Sequence, residues 1–218
     1  MKKVAVIVLM IVLCSIIVTA SSGMILKVSS DDEISLKDAI NDIRQHPFIL
    51  YFKLGVYYFY QGRFNDAITA FRKAIVIKPD FAEAYHNIGV SYYELGDLDK
   101  AIPEFERAVE IDDDYVKGHY SLGLAYYHNK NYDKAITSLE KVVTLDPLNA
   151  NALFDLGIVY VEMFRKGEEQ GKIIIEYLEQ GLLYYEKCLE IDPEFPHAKE
   201  NKEIVEKVLD SYKSLFNN

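Results

Sequence analysis

Thiols are nearly missing from this chain, which has two cysteines, Cys14 and Cys188, in 218 residues. Cys14 falls in an apolar leader, so Cys188 is the only thiol of the part expected to fold, and an internal disulfide there is excluded. Basic residues are outnumbered, 24 Lys and Arg against 34 Asp and Glu, giving a net charge of −10 with no basic run. That balance is a poor match for nucleic acid or an anionic membrane surface, and neither is expected as a partner. No Gly/Ser-rich or Pro-rich linker interrupts the chain, and half of its residues are apolar, so a sizeable core is available. The usual signatures of catalysis are absent as well. There is no glycine-rich phosphate loop, no CxxC or HExxH spacing and no nucleophile elbow. His86 and His128 both fall on the inner side of their repeats, but with no third ligand beside them ordinary polarity is expected rather than a metal site. Neither enzymatic activity nor a cofactor is expected.

Repetition is what the chain has instead. A 34-residue step runs through three windows beginning at Phe48, Ala82 and Val116, and a fourth copy opens at Ala150. Self-similarity at this period means a stacked array of one supersecondary unit. Each copy carries Leu-Gly or Ile-Gly at positions seven and eight (Gly55, Gly89, Gly123, Gly157) and Tyr three residues later (Tyr58, Tyr92, Tyr126, Tyr160). A small residue follows twelve positions after the glycine: Ala67, Ala101, Ala135 and, after an insertion, Gly181. The glycine is expected to face that small residue and let two helix backbones pack closely. Phe71, Phe105, Leu139 and Tyr185 at position 24, with Ala74, Ala108, Val142 and Cys188 at position 27, complete one stripe of the second helix. Cys188 is therefore expected in the core. Pro79, Pro147 and Pro193 are expected to stop that helix, with Asp113 in the second copy's place. Pro103 falls early in its helix and should bend it slightly without breaking it.

This pattern resembles the tetratricopeptide repeat family over Phe48 to Phe195, in the manner of bacterial exported or membrane-anchored members. The family's position-four Trp is replaced by Tyr51, Tyr85, His119 and Leu153. The resemblance implies an all-α fold, a right-handed helical solenoid of antiparallel helix pairs with N- and C-terminal capping helices. The expected organisation is 1–20 leader, 21–47 tether and short capping helix, and repeats at 48–81, 82–115, 116–149 and 150–195. Residues 196–218 are expected to form a capping helix, with Ile204, Val205, Val208, Leu209, Tyr212 and Leu215 on its apolar stripe. The fourth copy carries twelve extra residues near 164–177. Both of its helices are expected to be lengthened by about six residues, roughly 9 Å. That hairpin tip is either a tolerated insertion or a partner-specific knob.

At the start of the chain, Lys2 and Lys3 precede a near-continuous apolar run, Val4 to Val18, and a small-residue stretch, Thr19 to Gly23. These are the parts of an export signal cut after Ala20. Counted on to Leu26, the run is also long enough for an uncleaved anchor, which takes about 20 residues. Both fates put the repeats outside the cytoplasm, in a periplasm or on the outer face of the cytoplasmic membrane. Any membrane contact is expected only through that segment.

On the first helix of each copy, positions five, nine and twelve fall opposite the core side. Position five reads Phe52, His86, Tyr120 and Phe154; position nine reads Val56, Val90, Leu124 and Ile158; position twelve reads Phe59, Tyr93, Tyr127 and Val161. In the family this side lines a concave groove that binds peptides. A contiguous apolar stripe of this kind is larger than a monomer normally leaves bare. The expected function is a non-enzymatic scaffold binding an apolar or amphipathic peptide segment of another envelope protein; the competing reading is a stripe covered by the chain's own tether (Met24, Ile25, Leu26, Val28) or by a second copy of itself. The alternative is a carrier for an apolar small molecule or lipid chain in the same groove. The family's clamp for chaperone C-termini needs Lys and Asn where this chain has Phe52 and Val56, which argues against that partner; Asn87 is the one clamp-like residue. Tyr120 is expected to point into the groove with no part in the core.

Overall fold

A computed structural model of the protein describes residues 45–171 and 174–216. The leader, the tether and the capping helix expected before Gln45 lie outside them. The chain divides after Leu50 into two compact units, and the helix pairs belong to the second. Among the described residues there are nine helices and no strand. They are α1 Pro47–Tyr60, α2 Phe64–Ile77, α3 Ala82–Glu94, α4 Leu98–Ile111, α5 Val116–His128, α6 Tyr132–Leu145, α7 Ala150–Glu169, α8 Ile175–Ile191 and α9 Ala198–Phe216. Pairs α3/α4, α5/α6 and α7/α8 pack internally, α2/α3, α4/α5 and α6/α7 pack between repeats, α3 touches α5, and α9 closes on α8.

Local chemistry sets these boundaries. Asp97 caps α4 by accepting the Lys100 N–H, and Asn149 caps α7 by accepting the Ala152 N–H. Acidic residues in the first turns of α2, α4, α6 and α8 complement the helix dipole. Pro103 lies inside α4, which continues through it. α4 ends at the same repeat position as α2 and α6 although Asp113 replaces their following proline.

The turn within each of the first three pairs closes by the same two backbone bonds. Gly62, Gly96 and Lys130 donate to Phe59, Tyr93 and Tyr127, and the next residue donates to Tyr58, Tyr92 and Tyr126, all at 2.9 Å. These turns need a left-handed residue, with φ of 71° and 76° at the two glycines and 57° at Lys130. A side chain there costs about 1–2 kcal/mol, part of which glycine returns as unfolded-state entropy. Lys130→Gly is therefore expected to stabilise the protein by up to about 1 kcal/mol in urea denaturation. A loss of stability would show that Lys130 holds the turn through its side chain.

The core repeats as the sequence does. Ala67, Phe71, Ala101, Phe105, Ala135 and Leu139 are buried, as is Cys188, whose thiol burial pushes up to about 11, away from reactivity. The glycines work differently from the expected backbone contact. A Cβ built on Gly55, Gly89 or Gly157 meets the ring of Phe71, Phe105 or Tyr185 at 2.5–2.6 Å, and one on Gly123 meets Leu139 at 2.8 Å. The missing side chain thus makes room for the position-24 residue of the paired helix. Close backbone approach comes second, as at Gly181, whose Cβ would lie 3.2 Å from the Gly157 carbonyl.

The fourth pair is the irregular one. α7 has 20 residues against 13 in α3 and α5, and α8 has 17 against 14 in α4 and α6. The added length is unequal, about 10 Å on α7 and 5 Å on α8 at 1.5 Å per residue. It is also packed. Phe164 and Leu178 are buried with Val205 and Leu209 of α9, and Tyr212 meets Phe164 edge-on at 5.4 Å. Ile204 and Leu215, expected on the same stripe, are exposed instead, because the packed arc of α9 is narrower than the run of apolar residues. The Tyr212 hydroxyl donates to Glu168, and Lys213 pairs with Glu179 at 2.8 Å. The inner side of the longer hairpin is the seat of the second half of α9, a role that neither expectation, idle insertion or partner knob, contained.

Candidate functional site

The twelve inner-face side chains, Phe52, Val56, Phe59, His86, Val90, Tyr93, Tyr120, Leu124, Tyr127, Phe154, Ile158 and Val161, are all half-buried. None is enclosed in the core and none is fully exposed. The three columns nevertheless differ in what they touch.

Position five is tied to the repeat interior. Phe52 packs on Phe71 and Phe81 at centroid distances of 5.5 and 4.8 Å, His86 on Phe105 and Tyr115 at 5.6 and 5.3 Å, and Phe154 on Tyr185 and Phe195 at 5.6 and 5.0 Å. The same three-ring cluster thus forms in copies one, two and four, from positions 5, 24 and 34. The third copy has Leu139 and Asn149 at the latter two positions. There Tyr120 instead donates its hydroxyl to Asp155 Oδ2 of the next repeat at 2.7 Å. The expectation that Tyr120 stands clear of the fold is therefore corrected: it packs on the central core cluster and bridges two repeats. The signal for these clusters was present in the sequence as the column Phe81, Tyr115 and Phe195.

Positions nine and twelve lean on core clusters too, Val56 and Phe59 in the first repeat and Ile158 and Val161 in the fourth. Leu124 belongs to none of the apolar clusters, whereas Val90, Tyr93 and Tyr127 flank the central one. Burial raises the hydroxyl pKa of Tyr93 and of Tyr127, keeping both as neutral donors. Asn87 is turned back on its own helix, its amide donating to the Glu83 carbonyl at 2.6 Å.

The two inner-side histidines, His86 and His128, have different surroundings. His128 is exposed, edge-on to Tyr93 and Tyr127. His86 bonds Ser121 Oγ at 3.0 Å across the repeat boundary. Among the described residues no three His, Cys, Asp or Glu side chains converge as metal ligands. Burial, with Lys117 nearby, lowers the His86 pKa from 6.5 to about 4. Unfolded chains bind a proton at this histidine below about pH 6.5, folded ones only below about 4. Its contribution to stability is therefore present above pH 6.5 and lost as pH falls towards 4. Discounted for the solvent that reaches the ring, this amounts to about 1–2 kcal/mol. His86→Gln should flatten the stability profile by that much between pH 6.5 and 4 in urea titrations. A parallel profile would mean that the folded histidine accepts its proton freely.

The outer side carries a second inter-repeat ladder. Arg72 donates to the Tyr92 hydroxyl at 2.9 Å, Tyr126 donates to Glu106, and Tyr184 donates to Glu140 at 3.3 Å. An open cavity of about 460 Å³ lies beside the fourth hairpin, lined by Lys130, Tyr132, Lys166 and Tyr177 among others. A more apolar one of about 420 Å³ lies between the first two repeats, by Ile75, Val76 and Tyr85. Neither is lined by any of the twelve inner-face residues. No described helix is long and apolar enough to cross a membrane.

Comparison with known proteins follows the same periodicity. The family model described as TPR repeat matches residues 55–96 and 91–130, and the one described as Tetratricopeptide repeat matches 116–149. Curated protein sequences give no match. A crystal structure of MamA is similar with a TM-score of 0.63 and 25% identity, covering 71% of this chain and 83% of that one. YrrB, described as a TPR protein with an unusual peptide-binding site, aligns with a TM-score of 0.61 and 19% identity over 78% of this chain and 88% of its own. The first TPR of Spaghetti (RPAP3), bound to the HSP90 peptide SRMEEVD, gives 0.52 and 23% over 53% of this chain and 92% of its own. This architecture is one known for protein–protein interaction; one of these proteins is described with a bound peptide and another by its peptide-binding site. Residues 55–149 carry tetratricopeptide repeats, and the chain is an all-α helical-repeat solenoid.

Proposed function

We propose that the protein is a non-enzymatic binding scaffold whose inner face holds an apolar or amphipathic peptide segment of another envelope protein. The observation that carries this reading is the uniform half-burial of the inner face. Eleven of its twelve side chains are apolar or aromatic, with one edge packed and the other in water. Such a face can bury further area without losing its present contacts, the condition for a helix or extended segment to dock. Similar folds that bind peptides add support of a general kind. The extracytoplasmic setting rests on Lys2, Lys3 and the apolar run after them.

Leu124 is the residue to change, because its removal from the apolar face leaves the core clusters untouched. Peptides selected from a random display library on the full chain should be rich in apolar residues. Leu124→Glu should lose their binding while keeping its melting temperature, since the carboxylate must be desolvated by the incoming segment or hold it off. Lys207→Gln, an exposed change of equal charge on α9, should alter neither property. Peptides that bind Leu124→Glu as tightly as the parent would place the site off this face.

A further inference from the structure

One inner-face group is out of keeping with an apolar groove. Asp155 lies on α7 next to Phe154, half-buried, and its Oδ2 accepts the Tyr120 hydroxyl at 2.7 Å. Ile158 is one turn further along α7, and Leu124 is one turn further than Tyr120 along α5. Three other carboxylates near a repeat boundary have cations of their own, and Glu140 and Glu168, which like Asp155 accept from a tyrosine, are exposed to water. Asp113 has Lys141 at 2.7 Å, Glu104 has Arg72 at 3.8 Å, and Glu186 has Lys202 at 3.1 Å. Asp155 makes no ion pair of that kind among the described residues. Burial raises the Asp155 carboxyl pKa despite the Tyr120 hydrogen bond and the influence of the exposed His128.

A half-buried carboxylate supported by one neutral hydrogen bond costs stability, and asparagine would keep the bond without the charge. Such a group on a binding face has its reason in what it binds. One carboxylate offers too few ligands for a metal ion. It is well matched to a single ammonium or guanidinium, whose aliphatic stem can lie along Leu124 and Ile158 while its head reaches Asp155.

We infer that the inner face selects peptide segments carrying one Lys or Arg within an otherwise apolar stretch, and that Asp155, oriented by Tyr120, is the residue that recognises this cation. The inference rests on the groove reading above and names the chemistry of its ligand.

Two measurements test it, both on the full chain. In the free protein, Asp155→Asn should raise the urea midpoint, because an unpaired charge is removed and the Tyr120 bond kept. A lowered midpoint would make Asp155 structural and overturn the inference. In the display selection, parent-bound peptides should share one Lys or Arg flanked by apolar residues. Their affinity should fall about tenfold or more for Asp155→Asn. It should also fall when that basic residue is replaced by norleucine, and Asp155→Asn should be indifferent to that replacement. Peptides that Leu124→Glu loses but Asp155→Asn keeps would overturn cation recognition and leave the groove standing. Peptides that neither change affects would overturn both.

Discussion

Gly89→Ala should destabilise the protein by about 3 kcal/mol, near the upper end for overpacking and opposite in sign to the same change in an ordinary helix. In an exposed helix, replacing Gly by Ala gains about 1 kcal/mol. Here the new Cβ would lie 2.6 Å from the Phe105 ring, and that ring is only 1% exposed, so it has no empty space to move into. Either α3 and α4 separate or the ring leaves its rotamer, and each spreads strain into neighbouring packing. The discriminating measurement is a double-mutant cycle by chemical denaturation. Phe105→Ala alone costs several kcal/mol, but it empties the space over Gly89. In that background Gly89→Ala should be neutral or stabilising. If its cost is unchanged there, the glycine is needed for backbone approach and not for the ring. Gly55 with Phe71 and Gly157 with Tyr185 should behave alike, because repeat arrays are near-sums of neighbour terms.

The repeat plan was legible because period and chemistry agree. Leu-Gly at positions seven and eight, the small residue twelve later and the apolar stripe after it are enough to place α1 to α8 in pairs, and the burial of Ala67, Phe71, Ala101 and Phe105 follows directly. The role of the glycine was less legible. Position spacing on one helix says which residues share a face, but not which atom of the partner fills a gap. A small-to-small contact and a ring-over-glycine contact have the same sequence signature until the helices are set against each other. The left-handed turn at Lys130 was hidden for a related reason. Only its alignment with Gly62 and Gly96 marks it, and the residue type points the other way.

The inner face divided along similar lines. Its twelve positions follow from helical geometry, and their shared half-burial agrees with that. What the wheel could not show is that position five is close enough to positions 24 and 34 to form a ring cluster. Where Leu139 and Asn149 remove those rings, the tyrosine finds the next repeat instead. Tyr120→Glu, the change that the wheel alone would recommend, would set a second carboxylate against Asp155 and confound loss of binding with loss of packing. Leu124 avoids the loss of packing, since it belongs to none of the apolar clusters.

The insertion in the fourth copy was the least legible element, and the change at its centre should be among the most costly. Phe164→Ala should destabilise the protein by about 3–5 kcal/mol, the range for emptying a buried phenylalanine site. Phe164 is 2% exposed and lies on the part of α7 that the shorter first helices lack. Its ring touches Tyr212, and its cluster includes Val205 and Leu209, so its loss uncouples the second half of α9 from its seat. The damage should be local at first, because each unit of a repeat array leans only on its neighbours. Amide hydrogen exchange should accelerate in α9 from Val205 onward, while α3 to α6 keep their protection under conditions where the fold persists. Ile174→Ala, at a position already exposed on the same hairpin, should leave both stability and exchange almost unchanged. A hairpin that serves only to meet a partner predicts the reverse pattern, with Phe164→Ala silent in the free protein. Local loss of protection in α9 with that control silent would identify the extra turns as the support on which the C-terminal helix folds. Among the described residues of the hairpin, the exposed side around Lys166 and Gln170 would then be what is left for a partner.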